Sequence, residues 1–263
     1  MKLFKDLYEY RELLKSNVKK DIRGKYKGSF LGVLWSFVSP LLMTLVYAIV
    51  FKYIMRGQNY DSYSTFLVIG ILPWTWFTIC ISQGTFCIIG NGPIIKKVYF
   101  PREILPISVV TSGLVNFLIQ CLIIMIFVVV YHRPITWNLL FLPLIIIAQY
   151  LFTLGTIFIT SAINVFVRDL EYIINFIIQL LFYATPILYE LKTFTDAGAP
   201  RWICKMMEAN PFATIISGYR DIFYWGNTPA LKPLLIVIAV SALLCWLGLI
   251  IFRKLSKGFA EEV

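Results

Sequence analysis

Apolar residues along this chain fall into six long runs, at roughly 30–54, 63–90, 104–130, 138–164, 172–189 and 231–252. A helix needs about 20 such residues to cross the hydrocarbon layer, so the pattern predicts six membrane spans. Ahead of the first run, Leu7, Tyr10, Leu14, Val18 and Ile22 recur at helical spacing among basic residues, with Arg23 close behind. That is an amphipathic helix, one face apolar and the other charged, suited to lie in a membrane interface. The long connection between runs five and six does not read as coil. Pro200 opens Arg201–Met207, and Asn210-Pro211 is an N-cap followed by proline at the first helical position, leading into Phe212–Tyr224. Two short helices over 199–224 are therefore expected to dip back toward the bilayer, the alternative being that they lie on its outer surface. The fold expected is an all-α integral membrane protein. Residues 1–29 form an interfacial head, and 30–263 form one six-helix transmembrane domain.

Composition sharpens this picture. Hydrophobic residues make up 59% of the chain and charged ones 14%, whereas soluble domains carry about 25% charged residues. The net charge of +10 resides mostly in the head and in short loops. This indicates orientation and lipid contact, not nucleic-acid binding. With an even number of spans both termini share a side. Sixteen of the 24 Lys and Arg residues fall there, which makes that side cytoplasmic. No cleavable signal peptide is expected. The five cysteines form no C-x-x-C pair and read as apolar packing residues; neither a disulfide nor a metal site is expected.

The predicted spans 104–130, 138–164 and 172–189 contain no Asp, Glu, Lys, Arg or His. Proton-coupled carriers and membrane-embedded acid–base enzymes both need such groups. Uncharged polar residues instead form stripes. Gln149, Thr153, Thr156, Thr160 and Asn164 fall within about 80° on a helical wheel. Ser108, Ser112, Asn116 and Gln120 follow at intervals of four, as do Asn175, Gln179 and Tyr183. For the first two stripes interhelical packing is the favoured reading. The third is the better candidate for a wet passage. Pro73-Trp74-Thr75-Trp76-Phe77 sets aromatic rings beside a helix-kinking proline, and rings of this kind suit a sliding sugar chain.

The link 91–106 is compact. Gly92-Pro93 starts it and Pro101 stops it, leaving room for about two helical turns. Ile94, Ile95, Val98 and Tyr99 are too apolar for a solvated turn, so a short apolar and basic helix is expected to seat in a partner's groove. No G-x-x-x-x-G-K-[ST] stretch occurs. If ATP is used, another polypeptide binds it.

Several segments carry a family resemblance. They are Arg23-Gly24-Lys25-Tyr26-Lys27-Gly28-Ser29-Phe30-Leu31-Gly32-Val33-Leu34-Trp35 with Pro40, Phe100-Pro101-Arg102-Glu103-Ile104-Leu105-Pro106, and Val167-Arg168-Asp169-Leu170-Glu171-Tyr172. Thr185-Pro186-Ile187-Leu188-Tyr189 and Asn210-Pro211-Phe212 through Gly218-Tyr219-Arg220 complete the set. In order and spacing the chain resembles the permease subunits of ABC transporters that export O-antigen, capsule or teichoic acid. The resemblance implies a homodimer in the bacterial inner (cytoplasmic) membrane, with two ATP-binding cassette subunits that hold Mg-ATP. No cofactor is implied on this chain itself, and the permease is non-catalytic. The substrate implied is an undecaprenyl-linked glycan.

The resemblance also implies roles for particular residues. The head becomes a gate helix (Leu7, Tyr10, Leu14, Val18, Ile22, Arg23). Residues 93–101 become a coupling helix, with Pro93, Ile94, Ile95, Lys96, Lys97, Val98, Tyr99 and nearby Arg102. Trp35, Phe37, Tyr47, Trp74, Trp76, Phe77, Phe182 and Tyr183 become channel aromatics. Alternatives are an ABC exporter of a drug or small lipid, and a membrane-bound glycan-assembly transferase.

Overall fold

The computed structural model describes residues 8–26, 34–54, 62–190, 195 and 198–262. Among these there is no strand. Helix α1 spans Arg11–Tyr26, α2 Trp35–Ile54, α3 Tyr63–Gly90, α4 Gly92–Ile95, α5 Ile104–Val130 and α6 Leu142–Asn164. Helices α7 (Leu170–Ala184), α8 (Arg201–Glu208), α9 (Pro211–Arg220), α10 (Leu231–Leu255) and α11 (Phe259–Glu262) complete the order. Among the described residues four stretches, against the six runs of the hydrophobic pattern, are long and apolar enough to cross a membrane: Tyr63–Gly90, Ile104–Val130, Trp137–Asn164 and Leu231–Gly258.

Two ends of the bundle can be told apart. The basic end gathers α1, α4, the start of α5 and the close of α10. The distal end carries residues 185–190 and the helices α8 and α9. Helix α3 is the central post. Within its most apolar window 78% of residues are buried, against 22% for α10. It packs against α2, α5, α6, α7 and α9, so the outer helices are left to turn apolar side chains toward lipid.

The tightest pairing is α6 with α10. A Cβ at Gly155 would lie 2.6 Å from the Cys245 backbone nitrogen, and one at Gly248 would lie 2.6 Å from the Gly155 carbonyl. Glycine at both positions lets the two backbones touch, as small residues do between membrane helices.

The helix boundaries depart from the sequence pattern in two places. The run at 172–189 is helical only from Leu170 to Ala184, about 22 Å at 1.5 Å per residue. Pro186 is the cause, because the residue before a proline is driven out of the α region, and Thr185 is extended (φ −101°, ψ 136°). The link expected to hold two helical turns holds one, Gly92–Ile95, followed by a turn through Lys97. Helix α9 is not a loosely laid surface helix. Phe212, Ile215, Ile216, Tyr219 and Arg220 are buried, and it packs between α3, α6 and α10.

Candidate functional site

A cavity of about 500 Å³ opens between α2, α3 and α7. Three helices supply its walls: Ser39, Met43 and Tyr47 from α2; Ile71, Trp74, Thr75 and Thr78 from α3; Ile178, Gln179, Phe182 and Tyr183 from α7. Pro73 lies within α3 at this level. The Gln149 amide of α6 donates to the Pro73 carbonyl at 2.8 Å, and Thr75 Oγ1 donates to the Ile71 carbonyl at 2.8 Å. These bonds supply partners to backbone carbonyls around the proline.

The rings in the wall form a continuous set. Tyr47 stacks on Phe182 with centroids 6.1 Å apart, Trp74 lies 6.0 Å from Phe182, and Phe182 meets Tyr183 edge-on at 5.3 Å. Behind Trp74, Phe212 of α9 backs the ring edge-on at 5.2 Å. Hydroxyl and amide groups of Ser39, Thr75, Thr78 and Gln179 alternate with these faces. A cavity that mixes ring faces with neutral hydrogen-bonding groups suits a polyhydroxylated chain, whose C–H faces stack and whose hydroxyls exchange partners.

Of the eight aromatics expected in a channel, Tyr47, Trp74, Phe182 and Tyr183 come together here. Trp76 does not line the cavity. At 2% exposure it stacks on Phe117 of α5, centroids 4.8 Å apart, because residues 74 and 76 lie about 200° apart on a helix. Phe77 packs against Phe212 at 4.7 Å and Phe152 at 5.9 Å. Trp35 is exposed near the start of α2 and is not part of the wall. The side chain of Phe37 lies outside the described residues. Phe212, which the pattern assigned to the distal helices, is buried behind the wall against Trp74, Phe77 and Phe152; its apolar neighbours gave no sign of which face it takes.

The polar stripes separate as their positions suggested. Asn164 donates to the Thr85 carbonyl at 3.2 Å, and Thr85 Oγ1 donates to Thr160 Oγ1 at 2.9 Å, inside the α3–α6 contact. Ser108, Ser112 and Asn116 bond to carbonyls of their own helix. On α7, Asn175 accepts from Ser82 at 2.6 Å, while Gln179 and Tyr183 reach the cavity.

At the basic end, α4 and the turn after it place Pro93, Ile94, Lys96, Lys97, Val98 and Tyr99 outward, with Tyr99 95% exposed, and Ile95 and Phe100 inward. Arg102 is half-buried; its guanidinium donates to the Ser256 carbonyl and rests 5.6 Å from the Phe259 ring centroid. Helix α1 packs on α5. Its Tyr10, Leu13 and Leu14 touch the core, Val18 and Ile22 are half-buried, and Lys20 donates to Asn91 Oδ1 at 3.3 Å. Asn91 is the residue just ahead of α4, so the amphipathic helix and the exposed turn are in direct contact. Leu7 and the Arg23 side chain fall outside the described residues.

These features together define a helical, multi-pass membrane permease. A polar–aromatic cavity opens between its helices, and its basic end exposes a short apolar and basic turn. The chain belongs to the ABC-2 type transporter family, whose membrane domain matches residues 12–224. It is 37% identical over all 263 residues, the whole of both chains, to the O-antigen export system permease protein RfbA of Myxococcus xanthus. It is 38% identical over 251 residues to the protein of the same name from Klebsiella pneumoniae, covering 95% of this chain and 94% of that one.

Proposed function

We propose that this chain is the channel-forming subunit of an ATP-driven exporter of lipid-linked polysaccharide of the O-antigen type. The observation that carries the reading is its similarity to O-antigen export permeases over the full length of both chains. The aromatic and hydroxyl-lined cavity supports it, because a glycan is the substrate class that such walls accommodate. In this reading the chain crosses the inner membrane six times, with α2 and α7 as the first and fifth spans, α8 and α9 as re-entrant helices, and the basic end in the cytoplasm. Two copies meet along α2 and α7, whose exposed Leu42, Leu45, Val46, Ile173, Phe176 and Leu180 are otherwise left to lipid.

Two ATP-binding cassette subunits, which hold the Mg-ATP, dock beneath on Ile94, Val98 and Tyr99. Closing them around ATP pushes α4. The Lys20–Asn91 contact carries that push to α1, which acts as the gate at the cytoplasmic mouth. An undecaprenyl-linked chain end then enters, and the polymer slides along the rings of Tyr47, Trp74, Phe182 and Tyr183.

The deciding experiment measures ATP hydrolysis by the purified transporter. Lipid-linked O-antigen should stimulate it and hydrophobic drugs should not; the reverse result would assign a drug or small-lipid exporter. Ile94→Asp with Val98→Asp should abolish co-purification of the ATP-binding subunit, since both side chains point outward. Retained co-purification would remove the docking role.

A further inference from the structure

The distal end contains a knot of backbone carbonyls around one buried cation. Because Pro186 stops α7, residues 186–189 have no helix or strand to satisfy their carbonyls. Buried carbonyls need partners. Here every one of the four is occupied. Arg220 Nη1 donates to the Pro186 carbonyl at 2.7 Å and to the Tyr189 carbonyl at 3.3 Å, and Nη2 donates to the Ile187 carbonyl. The Tyr63 hydroxyl donates to the Leu188 carbonyl at 2.7 Å. Arg220 is 4% exposed and lies over the Phe66 ring at 3.6 Å from its centroid. A Cβ at Gly70 would sit 2.8 Å from the Ile187 carbonyl and 3.0 Å from Arg220 Nη2, so only glycine lets the knot rest on α3.

The other end of α9 grips the same segment. Asn210 accepts from the Phe212 amide at 2.9 Å as the N-cap, and donates from Nδ2 to Thr185 Oγ1 at 2.9 Å. The first and last turns of α9 therefore both hold the elbow that follows α7. Helix α7 itself is weakly anchored: only Ile178 among its residues is buried. Its position beside the cavity is set by its ends, by the Ser82–Asn175 bond and by Phe182 packing on Tyr47 and Trp74.

We infer that Arg220 is a positioning residue that welds α9, the 185–189 elbow and the distal end of α7 into one moving piece. Gln179, Phe182 and Tyr183 then shift only when α9 shifts. This inference rests on the export reading for its transport readout, and on geometry alone for its structural one. A planar guanidinium reaches several carbonyls at once, which an ammonium does not.

The test uses the full chain in lipid nanodiscs with its ATP-binding subunit. In R220M, amide hydrogen exchange over 180–189 should speed up by at least about tenfold, while α5 and α6 keep wild-type protection. Glycan exported per ATP hydrolysed should fall. A purely structural role would lower the amount of assembled protein and leave that ratio unchanged, which would overturn the inference, as would unchanged exchange at 180–189. If R220M does not accumulate, R220K, which keeps the charge but reaches fewer carbonyls, is read the same way.

A disulfide between T185C and N210C provides a second arm. Oxidised and reduced forms should export equally, because the joined parts do not separate. Export that stops on oxidation and returns on reduction would overturn the inference. If the wild-type chain exports no glycan at all, the proposed function fails, and the exchange result still decides whether the weld exists.

Discussion

The two ends of the bundle are both closed by arginines, and the chemistry differs with access to water. At the distal end Arg220 is buried and spends its donors on three carbonyls and a ring face. At the basic end Arg253 holds Glu103 at 2.8 Å with its own side chain 40% exposed, and Arg102 reaches the Ser256 carbonyl beside Phe259. Burial makes the first arrangement costly to break, since each abandoned carbonyl loses its only compensation for leaving water. Partial exposure makes the second cheaper to break, because water reaches Arg253 even though the Glu103 side chain is only 13% exposed. The distal end is therefore the more firmly closed, and the basic end the one whose contacts exchange more readily with water.

Four experiments can break or sharpen this contrast. The largest effect is expected from Gly70→Val, which drives a side chain into the Ile187 carbonyl and Arg220. It should cost about 1–3 kcal/mol, read as a lowered unfolding temperature in detergent. Tyr63→Phe strips the Leu188 carbonyl of its donor and should cost about 1–2 kcal/mol. A loss comparable with that of an exposed ion pair would mean that the distal knot is no more rigid than the basic one.

Asp221, which follows Arg220 in the chain, comes next. Burial raises its carboxyl to about 6, against the opposing hydrogen bond from the Ala230 amide. A raised carboxylate favours the protonated folded state. Its contribution is present below about 4 and is lost as pH climbs from 4 to 6. Asp221→Asn should flatten that window and raise stability at pH 8 by about 1 kcal/mol, after allowance for its partial exposure; a pH series of melting temperatures checks it. The smallest effect belongs to Glu103→Ala with Arg253→Ala, where a double-mutant cycle should give only about 0.2–1 kcal/mol. A coupling above 2 kcal/mol would erase the contrast between the ends.

Much of this was legible in the residues. Hydrophobic runs located the four stretches that, among the described residues, are long and apolar enough to cross a membrane, because lipid rewards unbroken apolarity. The N-cap Asn210 marked the start of α9 by local chemistry alone. Contacts that join distant parts of the chain were not legible. Arg220 and Pro186 stood out in separate motifs, yet nothing at a separation of 34 residues says that one satisfies the other. Nor does the run Pro73–Phe77 say that Trp74 faces the cavity while Trp76 stacks on α5, since rings are apolar on every side. The inward turn of Ile95 was hidden for the same reason: neighbouring Ile94 is chemically identical.

The contact of α6 and α10 through Gly155 and Gly248 has a mechanical meaning. Two rods whose backbones touch along a shared seam resist bending together, much as a laminated strut does. That strut packs on α3, while the cavity opens between α3, α2 and the lightly buried α7. A push arriving at the basic end is then not absorbed evenly. The stiff side acts as the fulcrum, and the strain is delivered to the compliant side.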